Sequence, residues 1–148
     1  MVALVIEDPN LEAALRKAIK KSTDTLMVSD FAQLTNLVLK ESNITDITPL
    51  ANLTHLTRLD LRGNDLDSIE PLAGLTNLTD LLLGDTGISD LTPLAGMQNL
   101  VDLYLSDNPI TDISPLAYLP ETTYMYFDNN PITDWSPIDH IQLVTGRP

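Results

Sequence analysis

Leu53 to Gly74 reads LTHLTRLDLRGNDLDSIEPLAG, and Leu75 to Gly96 reads LTNLTDLLLGDTGISDLTPLAG. Laid one beneath the other, the two stretches keep Leu53/Leu75, Leu56/Leu78, Thr57/Thr79, Leu59/Leu81, Leu61/Leu83, Pro71/Pro93 and Leu72/Leu94 in step at a spacing of 22. A fixed period of this size marks a repeat architecture in which each unit packs on its neighbours. The period runs on in both directions. Phe31 to Asn52 reads FAQLTNLVLKESNITDITPLAN, Met97 to Tyr118 reads MQNLVDLYLSDNPITDISPLAY, and Leu119 to His140 reads LPETTYMYFDNNPITDWSPIDH. A sixth unit starts at Ile141 and stops within eight residues.

Each unit carries the same physical plan. Leu59 and Leu61 alternate with Arg58, Asp60 and Arg62, a period of two that predicts a short strand. Leu37/Leu39, Leu81/Leu83, Leu103/Leu105 and Met125/Phe127 are the counterparts. A turn follows, ending in Asn64, Asn108 or Asn130, where a buried amide can bond the backbone of the neighbouring coil; Ser42 and Thr86 interrupt this ladder. Two further core positions come next: Ile44/Ile47, Leu66/Ile69, Ile88/Leu91, Ile110/Ile113 and Ile132/Trp135. Thr48-Pro49, Thr92-Pro93, Ser114-Pro115 and Ser136-Pro137 then place a hydroxyl before a Pro, a helix-start signal, with Glu70-Pro71 as the variant. So few residues remain before the next strand that a single 3₁₀ turn is expected. One coil cannot bury its Leu face alone. Stacked coils can, with parallel strands ~4.8 Å apart, and five such strands make a face roughly 20 Å long.

The ends depart from the period. In residues 1–30, Asp8-Pro9 opens a helix whose Leu11, Ala14, Leu15, Ala18 and Ile19 share a face. Glu7, Asp8 and Glu12 stand at its start and Lys17, Lys20 and Lys21 at its end, as the helix dipole favours. This segment is read as a helical N-terminal cap, closed by a short turn after Ser29. Residues 31–140 are the five repeats, and 141–148 are a truncated sixth repeat or a minimal C-terminal cap. Repeat five is degraded, with Thr122 where a Leu belongs.

The 148 residues carry a net charge of −13 and no cysteine, so disulfide and thiolate chemistry are excluded. Residues 1–30 hold four basic and five acidic groups, and no Lys or Arg occurs between Gly63 and Gly146. Such a surface repels phosphate backbones and argues against nucleic acid; it favours solubility or a basic partner. No apolar run is long enough for membrane insertion, and Met1 to Ile6 lacks the basic start of a signal peptide.

The string L-x-x-L-x-L-x-x-N-x-I-x-D-I-x-P-L through residues 31–140 resembles the repeat of bacterial internalins, the 22-residue class of leucine-rich-repeat proteins. Ile6, Asp8-Pro9, the amphipathic helix and Ser29-Asp30-Phe31 resemble the internalin cap. The resemblance implies an α/β leucine-rich-repeat solenoid: a curved right-handed coil, a parallel β-sheet on the concave face, 3₁₀ turns on the convex side and an α-helical N-terminal cap. It also implies ligand binding on the concave strands. Two departures count against a full match: nothing here resembles the immunoglobulin-like region that follows internalin repeats, and the opening residues do not read as a leader, as expected of a cytoplasmic protein or of one whose leader has been removed. Repeats of this length also occur in cytoplasmic regulatory subunits of protein phosphatase 1. The localisation therefore stays open, secreted or cell-surface in the internalin case and cytoplasmic otherwise.

In register, the outward strand positions form columns: Val38, Asp60, Leu82, Tyr104 and Tyr126 in the centre; Asn36, Arg58, Asp80, Asp102 and Tyr124 on one flank; Lys40, Arg62, Gly84, Ser106 and Asp128 on the other. Three tyrosines thus gather beside Leu82, rimmed by Asp80, Asp102 and Asp128, while Lys40, Arg58 and Arg62 occupy the N-terminal half. Exposed aromatics framed by charge have the make-up of an interface hot spot. The expectation is a protein-interaction module, internalin-like, binding a protein partner that is basic or bears an apolar patch. The partner-binding candidates are Arg58, Asp60, Arg62, Asp80, Leu82, Asp102, Tyr104, Tyr124, Tyr126 and Asp128. The blunt C-terminal end offers a second surface, for self-association. A cytoplasmic adaptor and a structural spacer of a larger protein are the alternatives.

Asp80/Asp102, Asp85/Asp107 and the row Asp90, Asp112 and Asp134 invite a calcium reading, but Asp ahead of each Ile more often bonds local turn amides. No metal, cofactor or catalytic role is assigned. His55 and His140 lie about four coils apart, there is no HExxH, and Ser without a nearby base is inert.

Overall fold

A computed structural model describes residues 2–148. The strands β1 (Asn36–Val38), β2 (Arg58–Asp60), β3 (Asp80–Leu82), β4 (Asp102–Tyr104), β5 (Tyr124–Tyr126) and β6 (Val144–Thr145) form one parallel sheet in chain order. From β1 to β5 each strand is displaced by one 22-residue repeat from the last, and β6 pairs after 19 residues, so Leu37, Leu59, Leu81, Leu103, Met125 and Val144 lie in a single register row. The sixth strand was not foreseen. Val144–Thr145 adds to β5, where the N–H groups of Met125 and Phe127 donate to the carbonyls of Leu143 and Thr145.

The core is the inward side of these coils. Leu37, Leu39, Leu59, Leu61, Leu81, Leu83, Leu103, Leu105, Met125 and Phe127 are fully buried, as are Ile44, Ile47, Ile110 and Ile113. Each such side chain contributes about 1.5–3 kcal/mol by leaving water, and each is covered only because another coil lies against it. The fifth repeat is looser. Ile132 and Trp135 are half-buried, and Thr122 is exposed. Its neighbour Thr123 is buried instead and satisfies its hydroxyl by donating to the Leu100 carbonyl, 3.0 Å away.

The asparagine ladder forms where the side chains allow it. Asn64 Oδ1 accepts from the N–H groups of Ser42 and Ile44, both at 3.0 Å, and its Nδ2 donates to the carbonyls of Leu39 and Leu61. Asn108 repeats the pattern two coils on, with Thr86 and Gly87 as donors and Leu83 and Leu105 as acceptors. At Thr86 the ladder breaks, and the hydroxyl bonds its own coil at the Leu83 carbonyl. One residue before each of these positions the chain turns with positive φ: Glu41, Gly63, Asp85, Asp107 and Asn129. Asp and Asn tolerate that conformation better than other residues with a side chain. The Asp85/Asp107 pair is therefore a backbone requirement of the turn.

The 3₁₀ turns lie at Thr48–Asn52, Glu70–Leu72, Thr92–Leu94, Ser114–Leu116 and Ser136–Ile138. The capping is not done by the hydroxyls. Each turn opens without a side-chain cap on its preceding residue, and an aspartate two positions ahead of the Thr or Ser supplies the acceptor. Asp46, Asp90, Asp112 and Asp134 accept the N–H of Thr48, Thr92, Ser114 and Ser136 at 2.9–3.0 Å. In the Glu70 variant, Ser68 Oγ takes the same role.

Helix α1 (Pro9–Ile19) has Asp8 as its N-cap, and Leu11 and Leu15 are buried against the first coil, with Ala14 and Ile19 partly covered. Ala18, assigned to the same face, is exposed. The cap is also tied by an antiparallel bridge. Leu4 N–H donates to the Leu26 carbonyl and Val28 N–H to the Val2 carbonyl, both at 2.8 Å. The closing turn begins slightly earlier than expected, at Val28–Phe31.

Candidate concave interface

The register rows place the anticipated columns on one face. Asn36, Arg58, Asp80, Asp102 and Tyr124 are successive partners, as are Val38, Asp60, Leu82, Tyr104, Tyr126 and Thr145. Tyr104 and Tyr126 stack, with ring centroids 3.9 Å apart and planes at 10°. Both are half-buried, and Tyr124 in the neighbouring column is 42% exposed. The Tyr126 phenol titrates above its ordinary range, because it bonds the Tyr104 side chain and sits partly desolvated near Asp102.

Two of the candidate contact residues are not surface groups. Asp60 is only 2% exposed and Leu82 5%. Neighbouring side chains on the inner side of a curved sheet crowd one another, and here they close over both positions. Asp60 is also engaged. Arg62 Nε donates to its Oδ1 at 3.0 Å and Nη2 to its Oδ2 at 2.8 Å, a forked pair. Burial would raise the Asp60 carboxyl pKa, but the Arg62 bonds and charge outweigh it and hold it below the usual range. The positive N-terminal half of the face is correspondingly weaker than the sequence suggested: Arg62 is neutralised, leaving Lys40 and Arg58.

Asp80 and Asp102 behave differently. They are register partners on adjacent strands, yet none of the ion pairs among the described residues reaches either of them. Burial first, then the bond to Asp80 and its negative charge, raises the Asp102 carboxyl pKa above its ordinary value; Arg58 partly offsets this. Asp128 stands at the C-terminal edge and accepts the Thr145 hydroxyl.

The remaining aspartate row has local work. Bonds from the Thr92, Ser114 and Ser136 side chains, then from their backbone N–H groups, hold the Asp90, Asp112 and Asp134 carboxyls below the usual range. Among the described residues no group of three or more His, Cys, Asp or Glu is placed to hold a metal ion. No helix among them is long and apolar enough to cross a membrane. On the convex side, an open groove of about 570 Å³ runs between the first two 3₁₀ turns and is lined by Ile47, Ala51 and Pro71 with Asp46, Asp67 and Glu70. It has no aromatic anchor. The most exposed aromatic, Tyr118 at 87%, lies outside the strand columns, at the end of its repeat, where the period of two gives no signal.

A stacked-coil sheet with 3₁₀ turns behind it defines a leucine-rich-repeat solenoid, and this fold commonly serves as a protein-interaction module. The family model described as Leucine Rich repeats (2 copies) matches residues 32–74 and 76–118, more than half of the chain, so the chain belongs to that family. No curated protein matches its sequence. Among solved structures it is similar to internalin C2 from Listeria monocytogenes, at 25% identity and a TM-score of 0.57, covering 93% of this chain and 91% of that one. It is also similar to another Listeria monocytogenes internalin, InlF, at 25% identity and a TM-score of 0.62, covering 97% of this chain and 57% of the other. A leucine-rich-repeat protein of Leptospira interrogans shares the fold at 22% identity and a TM-score of 0.67, with 78% of this chain and 31% of that one covered. The chain is thus internalin-like in its repeats, as its motif implied.

Proposed function

We propose that this solenoid binds a protein partner through the C-terminal half of its concave face. The observation that carries the reading is the stacked, half-exposed Tyr104–Tyr126 pair in the central column, with Tyr124 exposed beside it. Aromatic side chains held rigid by one another give up little conformational freedom on contact and supply large apolar area with a polar tip. Arg58, Asp80, Asp102 and Asp128 form the polar surround, and Arg62 contributes its outer edge. Asp60 and Leu82 act from beneath, by fixing Arg62 and by filling the floor between columns. The likeness to internalins supports a binding role rather than an enzymatic one.

The test is capture on the immobilised full chain, compared with the Y104A/Y126A double variant and with a convex-groove variant, D67A/E70A. A partner retained by the native chain and by D67A/E70A, but lost at least tenfold from Y104A/Y126A, supports the concave reading. A partner lost only from the convex variant overturns it.

A further inference from the structure

The concave reading leaves open what chemistry the partner presents, and charge complementarity on this face narrows it. Between Gly63 and Gly146 the chain has no Lys or Arg. Of the two arginines that reach the sheet, Arg62 is forked onto Asp60. Asp80 and Asp102 therefore stand in register, one strand apart, with only Arg58 in their own column as a positive neighbour, and Arg58 lies beyond ion-pair distance of both. Next in that column is Tyr124, and alongside is the Tyr104–Tyr126 stack. Adjacent strands are ~4.8 Å apart, so one group that donates in two directions can reach both side chains of the register pair. A planar guanidinium does this, and its faces are attracted to aromatic rings. An ammonium is a point charge and cannot fork or stack in the same way.

Resting on the concave reading, we propose that the partner's anchor is an arginine side chain in a basic segment, its guanidinium bridging Asp80 and Asp102 and its plane or stem lying against Tyr124 and the Tyr104–Tyr126 pair. The proposal assigns the face to a protein segment rather than to a metal ion, and arginine rather than lysine as its anchor.

The experiment is an NMR titration of the isotopically labelled full chain with an acetylated, amidated hexa-arginine peptide, and in parallel with the hexalysine peptide and with calcium chloride. The expected result is saturable shifts centred on residues 80–82, 102–104 and 124–126. Affinity should be at least threefold weaker for hexalysine and at least tenfold weaker for hexa-arginine on D80N/D102N. Melting of that variant no lower than the native chain's keeps the comparison clean, and if it does unfold, Y124A supplies the same test with an expected loss of about threefold or more. Equal binding of the two peptides, shifts spread over the whole acidic surface, no binding, or full displacement of the peptide by equimolar calcium would each overturn the proposal. The broader reading fails separately: a native partner captured through Tyr104 and Tyr126 without loss in D80N/D102N removes the arginine anchor and leaves the concave interface standing.

Discussion

The Asp8 carboxylate, in the N-terminal cap, accepts the backbone N–H of Thr45 in the first repeat at 2.8 Å. Its Oδ2 also takes the N–H of Asp46, while Oδ1 caps α1 through Asn10 and Leu11. One side chain thus closes a helix end and fastens that helix to the solenoid.

Removing this contact should be costly. An N-cap is worth about 1 kcal/mol and hydrogen bonds to a charged group about 1.5–3, so D8A is expected to lose roughly 2–4 kcal/mol in urea unfolding. Burial would raise the Asp8 pKa, but its four backbone donors outweigh that and hold it below the ordinary value. A depressed folded pKa means the stabilisation is present above the unfolded carboxylate range and disappears as pH falls through the folded value. The gap between native chain and D8A should therefore be constant near neutrality and shrink in acid below about pH 4. A gap that grows in acid contradicts the assignment.

The asparagine ladder gives a graded prediction. Asn108 is buried, and its amide serves Thr86, Gly87, Leu83 and Leu105. Asn130 is half-buried, and its Oδ1 has one longer bond, from Ile110 at 3.3 Å. N108A leaves buried backbone groups orphaned and should cost about 3–5 kcal/mol. N130A should cost about half of that, measured by chemical denaturation of both.

At the shared turn position Glu41 has φ 52°, where the next coils use Gly63, Asp85, Asp107 and Asn129. Glu has neither the freedom of Gly nor the local bonding of Asn in that region. E41N is expected to stabilise by about 0.5–1 kcal/mol, which corresponds to a rise in melting temperature of about 2–4 °C. A fall in Tm would show that the Glu41 side chain has a compensating role.

Asp102 carries the opposite sign from Asp8. Its folded pKa is raised by burial and then by Asp80, so its contribution is most favourable in acid and is lost as pH rises through that value. Relieving a like-charge pair across adjacent strands is worth on the order of 0.5 kcal/mol. D102N should melt about 2 °C higher than the native chain at neutral pH, and the advantage should vanish below about pH 4, where the native carboxyl is protonated.

The repeat could be read from sequence because the physics repeats with it. Leu59, Leu81 and Leu103 are buried in one row for the same reason at each step. The 22-residue period therefore also fixed which outward residues become neighbours, and the Tyr104–Tyr126 adjacency followed. What alternation did not convey was how crowded the inner side of a curved sheet is. Asp60 and Leu82 occupy outward positions, yet they are covered. Period two says which way a side chain points but not how much its neighbours fill the space above it. The Asp8–Thr45 link was hidden because it joins residues 37 apart in a non-repeating segment. The cap role of Asp46, Asp90, Asp112 and Asp134 was visible as turn chemistry, although the hydroxyl before each Pro is the more familiar helix-start signal.

The most direct test of the binding face is hydrogen-exchange protection of the full chain on adding the captured partner. Slowed exchange should fall on β3, β4 and β5, around Leu82, Tyr104 and Tyr126, with the 3₁₀ turns at Thr92–Leu94 and Ser114–Leu116 unchanged. Protection confined to those turns, or to α1, would contradict it.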